Sequence, residues 1–209
     1  MTYLRNLRYI TIPDTYKKLS VLPGLALTLA EVKAYLIIPV TDTSRDAWLT
    51  MLIKTSMNEF EEYARRVLIK STFITYRNNF PFTNFFELRK SPLVSVESVE
   101  YLDVDKVWQT MDSTEWMVTN ENYFSKIVWN DAFKFPSLYE QPQPIRINFT
   151  AGMATDDTDT DIHLKEGLLA YIAFMFENKG DCLTTKMDNA FSLPPTTIRV
   201  FDGYKIWMI

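Results

Sequence analysis

The segment from Ile145 to Gly152 reads IRINFTAG, and its alternation of apolar and polar residues is the clearest in the chain. Ile145, Ile147 and Phe149 share one parity, and the residues between them are polar. A strand with one buried face and one solvated face has this period of two. The segment therefore predicts an antiparallel strand that ends at Gly152.

A helix is predicted after this strand and an acidic loop, residues 156–161, which reads DDTDTD. Asp161 is placed to cap the helix and to interact favourably with its positive end. The predicted apolar face of the helix consists of Ile162, Leu168, Leu169, Ile172, Ala173 and Phe176. Gly180 is a natural stop. The strand is thus followed by an amphipathic helix.

Upstream, residues 71–150 have the period of several short strands. Ile74, Tyr76 and Phe80 alternate with polar residues. Val94 and Val96 also alternate, but the pattern resumes at Val99 and Tyr101 on the opposite parity, which predicts a bulge or a turn. Further strand-like pairs are Trp116 with Val118, and Ile127 with Trp129. Turn-forming residues separate these runs, so the region is predicted to be a small antiparallel β module.

Two helices are predicted before this module. Thr28 and Glu31 form a capping box at the start of the first helix, and Pro39 stops it. The second helix is predicted to start near Asp42 or Ser44 and to run to about Leu68, with Glu61–Arg65 and Glu62–Arg66 as ion pairs. Its apolar stripe consists of Leu49, Leu52, Ile53, Ser56, Phe60, Ala64 and Val67. This would be the longest element of the chain.

The order of these patterns predicts an α+β fold in five segments. Residues 1–26 form an N-terminal arm, residues 27–70 and 151–180 a small helical frame, residues 71–150 an inserted antiparallel β module, and residues 181–209 a loop and an apolar tail. The arm carries Tyr3, Leu4 and Tyr9, and it is expected either to lie on its own domain or to reach a neighbouring subunit. The large apolar groups of the tail also need burial somewhere.

The composition narrows the classes of function. The 209 residues carry a formal net charge of −4 and are 47% apolar, so tight binding to nucleic acid is disfavoured, whereas loose contact with passing DNA is not. Cys182 is the single cysteine and cannot form an internal disulfide. No apolar run is long enough to span a membrane, and the start lacks the pattern of a signal peptide. A soluble protein made in a cytoplasm, without a membrane partner, is expected.

Neither catalysis nor a cofactor is expected. His163 is the sole histidine, and no nucleophile motif or glycine-rich phosphate loop accompanies it. Asp157, Asp159 and Asp161 have the spacing of a calcium loop, but the positions that require Gly and Glu are Ile162 and Leu168. We therefore expect no metal, and we interpret the acidic run as a solvated loop whose last residue caps a helix.

Five sequence segments, in the order in which they occur along the chain, resemble segments of the head–tail connector (adaptor) family of tailed phages. The resemblance is to the branch of this family with a β insertion between the helices. The matching segments are residues 27–36, 46–64, 91–103, 147–152 and 169–178, which span roughly residues 27–180. The most recognisable is SPLVSVESVEYLD at residues 91–103. The N-terminal arm and the apolar tail depart from the family pattern.

The resemblance implies a structural subunit without catalytic activity, located in the virion neck and assembled in the host cytoplasm. Copies would form a ring, commonly of twelve, that docks under the portal protein, continues the channel for double-stranded DNA and offers a platform for stopper or tail proteins. By position, the residues expected to contact the portal or another partner are Tyr204, Ile206, Trp207 and Ile209. The candidates for the interface between subunits are Tyr3, Leu4, Tyr9, Arg65 and Arg66.

Two other hypotheses stay open on the sequence alone. One is a tail-completion or tail-terminator protein, which also forms rings. The other is a non-viral, β-rich binding module whose aromatic side chains hold a ligand. A hydrolase is disfavoured because the residues that hydrolysis requires are missing.

Overall fold

A computed structural model describes residues 16–21, 24–120, 124–130, 132–178 and 193–207 of the chain. Within these ranges the chain forms four helices and eight strands, which confirms the α+β class. The elements in chain order are β1 (Tyr16–Val21), α1 (Leu29–Tyr35), α2 (Asp46–Ala64), β2 (Ser71–Arg77), β3 (Phe85–Leu88), β4 (Leu93–Leu102), β5 (Trp108–Thr110), β6 (Trp116–Asn120), β7 (Ser125–Trp129), β8 (Ile145–Ala151), α3 (Ile162–Glu177) and α4 (Pro195–Asp202).

The strands form two antiparallel sheets. The larger sheet has the order β1-β2-β8-β4-β5, and the smaller has the order β3-β7-β6. Strand β8 lies at the centre of the larger sheet and is alternately buried and half-buried along its whole length, as its sequence predicts. The β4–β8 register shifts between Leu93 and Ser95 and again between Val96 and Ser98. The predicted slip in β4 is therefore confirmed as a bulged strand.

Two hydrophobic clusters hold the molecule together. The sheet cluster lies between the two sheets and includes Phe73, Phe149 and Trp129, whose side chains are almost fully buried. The helical cluster lies among the four helices and includes Phe60, Leu168 and Phe201. Burial of apolar side chains is the main favourable contribution to folding, so each cluster stabilises its own layer.

Strand β1 comes from the segment predicted to be an arm. It pairs antiparallel with β2, and the Tyr16 ring packs edge-on against Phe149 with 6.1 Å between the ring centroids. Residues 16–21 of the predicted arm therefore lie on their own domain, which is one of the two alternatives that the sequence leaves open. The interface candidates Tyr3, Leu4 and Tyr9 lie outside the described residues.

The capping box of α1 is confirmed. The Glu31 amide donates to Thr28 Oγ1 at 3.1 Å, and the Thr28 amide donates to Glu31 Oε2 at 2.6 Å. The helix ends at Tyr35, four residues before the predicted stop at Pro39, because Ile37 adopts a left-handed backbone conformation with φ of 57°.

Helix α2 is shorter than the predicted span. It starts at Asp46 rather than Asp42 or Ser44, because the Asp42 carboxylate instead accepts hydrogen bonds from the backbone and hydroxyl of Ser44. It ends at Ala64, where Arg65 turns left-handed with φ of 58°. The predicted stripe is confirmed from Leu49 to Ala64, because Leu49, Leu52, Ile53, Ser56, Phe60 and Ala64 are all buried. Its last predicted member, Val67, lies beyond the helix and packs in the sheet cluster instead.

The early end of α2 also changes the predicted ion pairs. Arg65 and Arg66 lie beyond the helix, so the spacing that would pair them with Glu61 and Glu62 on one helical face does not apply. Glu61 instead accepts a hydrogen bond from the Leu68 amide at 2.8 Å. The carboxylate thereby satisfies a backbone donor just after the helix end.

The acidic loop caps α3, as predicted. The Asp161 carboxylate accepts hydrogen bonds from the His163 and Leu164 amides, and Asp159 accepts from the Thr155 and Asp156 amides. Among the described residues no group of three or more His, Cys, Asp or Glu is placed to hold a metal ion. The predicted stop at Gly180 lies outside the described ranges, as does Cys182.

The buried face of α3 differs in part from the predicted one. Leu168 and Ile172 are buried with Leu164 and Gly167, but Ile162 is 77% exposed because it lies in the first turn, beyond the packing against α2. No helix in the described part of the chain is long and apolar enough to cross a membrane.

Candidate functional site

The C-terminal segment, residues 193–207, folds back onto the helical layer. Pro195 at the start of α4 suits the first turn of a helix, where its missing N–H has no intrahelical acceptor. Phe201 inserts between α2 and α3 and is fully buried, with its ring 5.1 Å from that of Phe60. Helix α4 approaches α3 closely at Gly167, where a Cβ would lie 2.8 Å from Val200 Cγ1. The segment is thus an integral part of the helical layer.

Three long-range hydrogen bonds fasten this segment to the end of α2. The Tyr63 hydroxyl donates to Asp202 Oδ1 at 2.7 Å, and Arg66 Nε donates to the Tyr204 carbonyl at 2.5 Å. The Ile206 amide donates to the Ala64 carbonyl, at 3.0 Å, and so satisfies a helix-terminal acceptor. We call this region the C-terminal junction, defined as residues 63–66 and 202–207.

The C-terminal junction brings together residues that the sequence assigned to two different interfaces. Arg65 and Arg66 were candidates for contacts between subunits, and Tyr204, Ile206 and Trp207 were candidates for contacts with a partner. Arg65 and Trp207 are exposed, Trp207 by 58%. One surface patch therefore contains residues from both groups.

Two of these residues make contacts within their own chain. Ile206 is 1% exposed and packs within its own chain, so its side chain is not available to a partner of the folded subunit. The Tyr204 hydroxyl donates to Asp161 Oδ1, at 2.7 Å, and thus links α4 to the cap of α3. Tyr204 is half-buried and Trp207 is exposed, so both stay predicted partner contacts, and Ile209 lies outside the described residues.

The electrostatics of the C-terminal junction combine cations with aromatic rings. Lys205 Nζ lies 4.1 Å from the centre of the Tyr63 ring and 4.8 Å from that of Trp207, within the range of cation–π attraction. Burial, together with the hydrogen bond to Asp161, raises the pKa of Tyr204 to about 12. The hydrogen bond to Asp202 likewise raises the pKa of Tyr63. The arrangement suits recognition of a partner surface, and it positions no nucleophile beside a base.

A second surface was missed by the sequence predictions. The connection between α1 and α2 exposes Ile37 by 91%, Val40 by 66% and Tyr35 by 48%. We call these three side chains the apolar knob. The signal in the sequence is the run LIIPV at residues 36–40, which is unusually apolar for a loop between two helices.

The outward face of the larger sheet is polar and internally hydrogen-bonded. Arg146 on β8 forms an ion pair with Glu100 on β4, and its guanidinium lies 4.1 Å from the centre of the Trp108 ring. Asn148 donates to Ser98 Oγ at 2.9 Å. Burial raises the pKa of Glu100, but hydrogen bonds from Ser98 and Arg146 outweigh it, so that the pKa is lowered. This face is preorganised by its own network.

His163 lies in a shallow cleft of about 490 Å³ between α3 and α4. The cleft is lined by His163, Glu166, Arg199, Val200, Gly203 and Tyr204. His163 is exposed in the first turn of α3, where its backbone amide donates to Asp161. A cleft of this size accommodates a few side chains of another protein.

No protein-family model matches the chain, and no curated protein sequence matches it. The fold, however, matches solved structures over nearly its whole length. A chain in the neck of an empty gene transfer agent (GTA) particle, computed with C6 symmetry, superposes with a TM-score of 0.76 and 17% identity, covering 93% of this chain and 97% of that chain.

Two further solved chains give similar matches. One is from the virion of a native gene transfer agent particle, with a TM-score of 0.74 and 17% identity. The other is from the neck of a native GTA particle computed with C12 symmetry, with a TM-score of 0.70 and 16% identity. Each match covers 93% of this chain and 97% of that chain. This chain therefore has the fold of a protein found in the necks of phage-like particles.

Proposed function

We propose that the protein is a structural subunit of the neck of a tailed phage or phage-like particle. Copies form a ring beneath the portal, continue the DNA channel and offer a docking platform to stopper or tail proteins. The observation that carries the proposal is the near-complete superposition on neck chains, at 93% and 97% coverage, with a TM-score of 0.76. High coverage of both chains means that the superposition includes the helices, the sheets and the connections between them.

The surfaces of the molecule support a role in assembly. The apolar knob and the C-terminal junction lie at separate places on the helical layer, so a subunit in a ring can contact a neighbouring copy with one and a different protein with the other. Exposed apolar side chains and an exposed tryptophan are typical of protein–protein contacts. The formal charge of −4 suits a conduit, because a strongly basic lumen would retain DNA phosphates.

Within this proposal Trp207 is the residue that meets the portal. It is 58% exposed next to the chain end, and a single aromatic anchor can dominate the energy of an interface. The Lys205 ammonium lies 4.8 Å from the centre of its ring and leaves the ring exposed. The surrounding cations, Arg65 and Lys205, favour an acidic surface on the portal.

The test is co-assembly with the portal protein of the same particle, measured by negative-stain electron microscopy and sedimentation. The wild-type protein is expected to add a ring to one end of the portal, and Trp207→Ala is expected to weaken this binding at least tenfold while the subunit stays folded. Trp108→Ala is the matched control, because Trp108 is also a partly exposed tryptophan but lies on the sheet. The absence of any ring on the portal would contradict the proposal.

A tail-terminator ring is the second candidate. It shares ring symmetry with the first and differs in its partner, which would be the tail-tube protein. Binding of the purified protein to tail tubes, without binding to the portal, would favour this alternative over the neck role.

A further inference from the structure

Ile37 combines two unfavourable features in the folded subunit. Its side chain is 91% exposed, and its backbone φ of 57° is one that β-branched residues rarely adopt. The position follows the end of α1, where glycine is the usual residue because it has no Cβ to strain. Neither folding nor solubility of the single subunit favours isoleucine here, which makes Ile37 a candidate for a contact with another molecule.

The loop that carries Ile37 is held firmly. The Ile38 amide donates to the Lys33 carbonyl at 2.8 Å, which is the bond that fixes a helix end of this kind. Lys33 is 3% exposed, and its ammonium group donates to the Val40 carbonyl, at 3.2 Å, and pairs with Asp46 Oδ1 at 2.5 Å. The apolar knob is therefore presented in one conformation, which lowers the entropic cost of binding.

The knob and the α3–α4 cleft lie on opposite flanks of α3. Lys165 forms an ion pair with Glu31 of α1 at 2.6 Å, so this side of α3 faces the helix that carries the knob. Gly167 packs against Val200 of α4. Two residues correspond to a rotation of about 200° around a helix, so α1 and α4 occupy opposite sides of α3.

We propose that the apolar knob of one copy inserts into the α3–α4 cleft of the next copy around the ring. This inference rests on the ring assembly proposed above and names the surfaces that build it. Projections and recesses on opposite flanks produce the head-to-tail contacts from which rings close. The cleft of about 490 Å³ is large enough for the side chains of the knob.

Charge supports the same pairing. Asp42 and Arg45 are the charged residues of the connection 36–45. Arg199 and His163 line the cleft together with a single carboxylate, that of Glu166. The connection and the cleft thus each carry one carboxylate and one guanidinium, so each charge on one surface has a counterpart of opposite sign on the other, and complementary charge of this kind fixes the register of an interface.

The first test separates the role of Ile37 in folding from its role in assembly. Ile37→Gly removes the backbone strain, so the melting temperature of the subunit at a concentration where no ring forms should rise by about 2–4 °C. The same variant removes the central side chain of the knob, so ring assembly should weaken at least tenfold. Gln143→Gly is the matched control, because Gln143 is also exposed at a positive φ of 60° but lies far from the knob. Unchanged assembly of Ile37→Gly would overturn the proposal.

The second test locates the partner surface by disulfide trapping on assembled rings. In a Cys182→Ser background, Ile37→Cys combined with Arg199→Cys should give covalent oligomers up to the size of the ring, and each single variant should give none. Rings that form under the microscope without cross-linking would overturn the knob contact and leave the neck role standing. A protein that never forms rings, with or without portal, would overturn both.

Discussion

The apolar knob and the C-terminal segment are the two regions where the chain carries large apolar side chains outside regular core positions. In the C-terminal segment Phe201 and Ile206 are buried, and only Trp207 stays exposed at the end. In the knob the corresponding groups point into solvent, and Ile37 is held at a strained φ of 57°. One region completes the subunit, and the other is the surface that we propose contacts a neighbouring copy.

The difference shows that an apolar sequence does not by itself identify a binding surface. A terminal apolar run can pack on its own chain if the local backbone lets it return, as Pro195 and Gly167 allow here. An exposed apolar group in an unfavourable backbone conformation is a stronger indication, because its side chain gains no burial within the subunit to offset the backbone strain.

The largest effect is expected from Phe201→Ala. Phe201 is fully buried against Phe60, so its truncation should lower the free energy of unfolding by about 3–5 kcal/mol. Urea unfolding followed by circular dichroism measures this change. Trp207→Ala is the comparison, and it should change stability by less than about 0.5 kcal/mol because exposed substitutions have little effect. If both variants lost similar amounts of unfolding free energy, the distinction between a buried Phe201 and an exposed Trp207 would be contradicted.

An intermediate effect is expected from Lys33→Met, which removes the buried cation that holds the knob loop. The variant loses the contacts to Asp46 and to the Val40 carbonyl, and should be less stable by about 1.5–3 kcal/mol. Ring assembly should weaken as well, because the knob is no longer held in one conformation. Lys54→Met, on the exposed side of α2, is the control and should leave both quantities unchanged. If Lys33→Met lost stability but assembled into rings as well as the wild type does, the knob would not need a fixed conformation.

The smallest effect is expected from Tyr204→Phe, which removes the hydrogen bond to Asp161. At neutral pH the variant should lose about 0.5–1.5 kcal/mol. The pKa of Tyr204 is raised to about 12 in the folded state, so its contribution is complete below the unfolded value of about 10 and is lost as the pH rises through about 12.

The difference in unfolding free energy between the wild type and Tyr204→Phe should therefore narrow between pH 10 and pH 12, in the window set by these two pKa values. Urea unfolding of both proteins across this range provides the measurement. Tyr63, whose pKa is also raised, is present in both proteins and cancels in the comparison. If the difference in unfolding free energy stayed constant between pH 10 and pH 12, loss of the Tyr204 proton would not affect stability. The bond from the Tyr204 hydroxyl to Asp161 would then contribute nothing.

Local patterns account for what could be predicted from the sequence. The alternation in β8, the capping box of Thr28 and Glu31, and the cap by Asp161 each depend on residues close together in the chain. The slip of register in β4 is likewise visible in the parity of its valines. Such short-range signals predicted the fold class and the order of most elements.

What could not be predicted depends on contacts between distant residues. The end of α2 is set by the left-handed Arg65, and the Ala64 carbonyl there accepts from Ile206, 142 positions further along the chain. The pairing of β1 with β2 joins residues that are 50 to 59 positions apart in the chain. The exposure of Ile37 follows from the buried ion pair of Lys33, which places the loop. These features are visible only once the chain is folded.

The most direct test of the account is a cryo-electron microscopy reconstruction of this protein assembled on its portal. The account predicts a closed ring below the portal, with residues 35–40 of each copy seated between α3 and α4 of its neighbour and with Trp207 facing the portal. Single copies on the portal, or a ring in which Ile37 faces solvent, would contradict it.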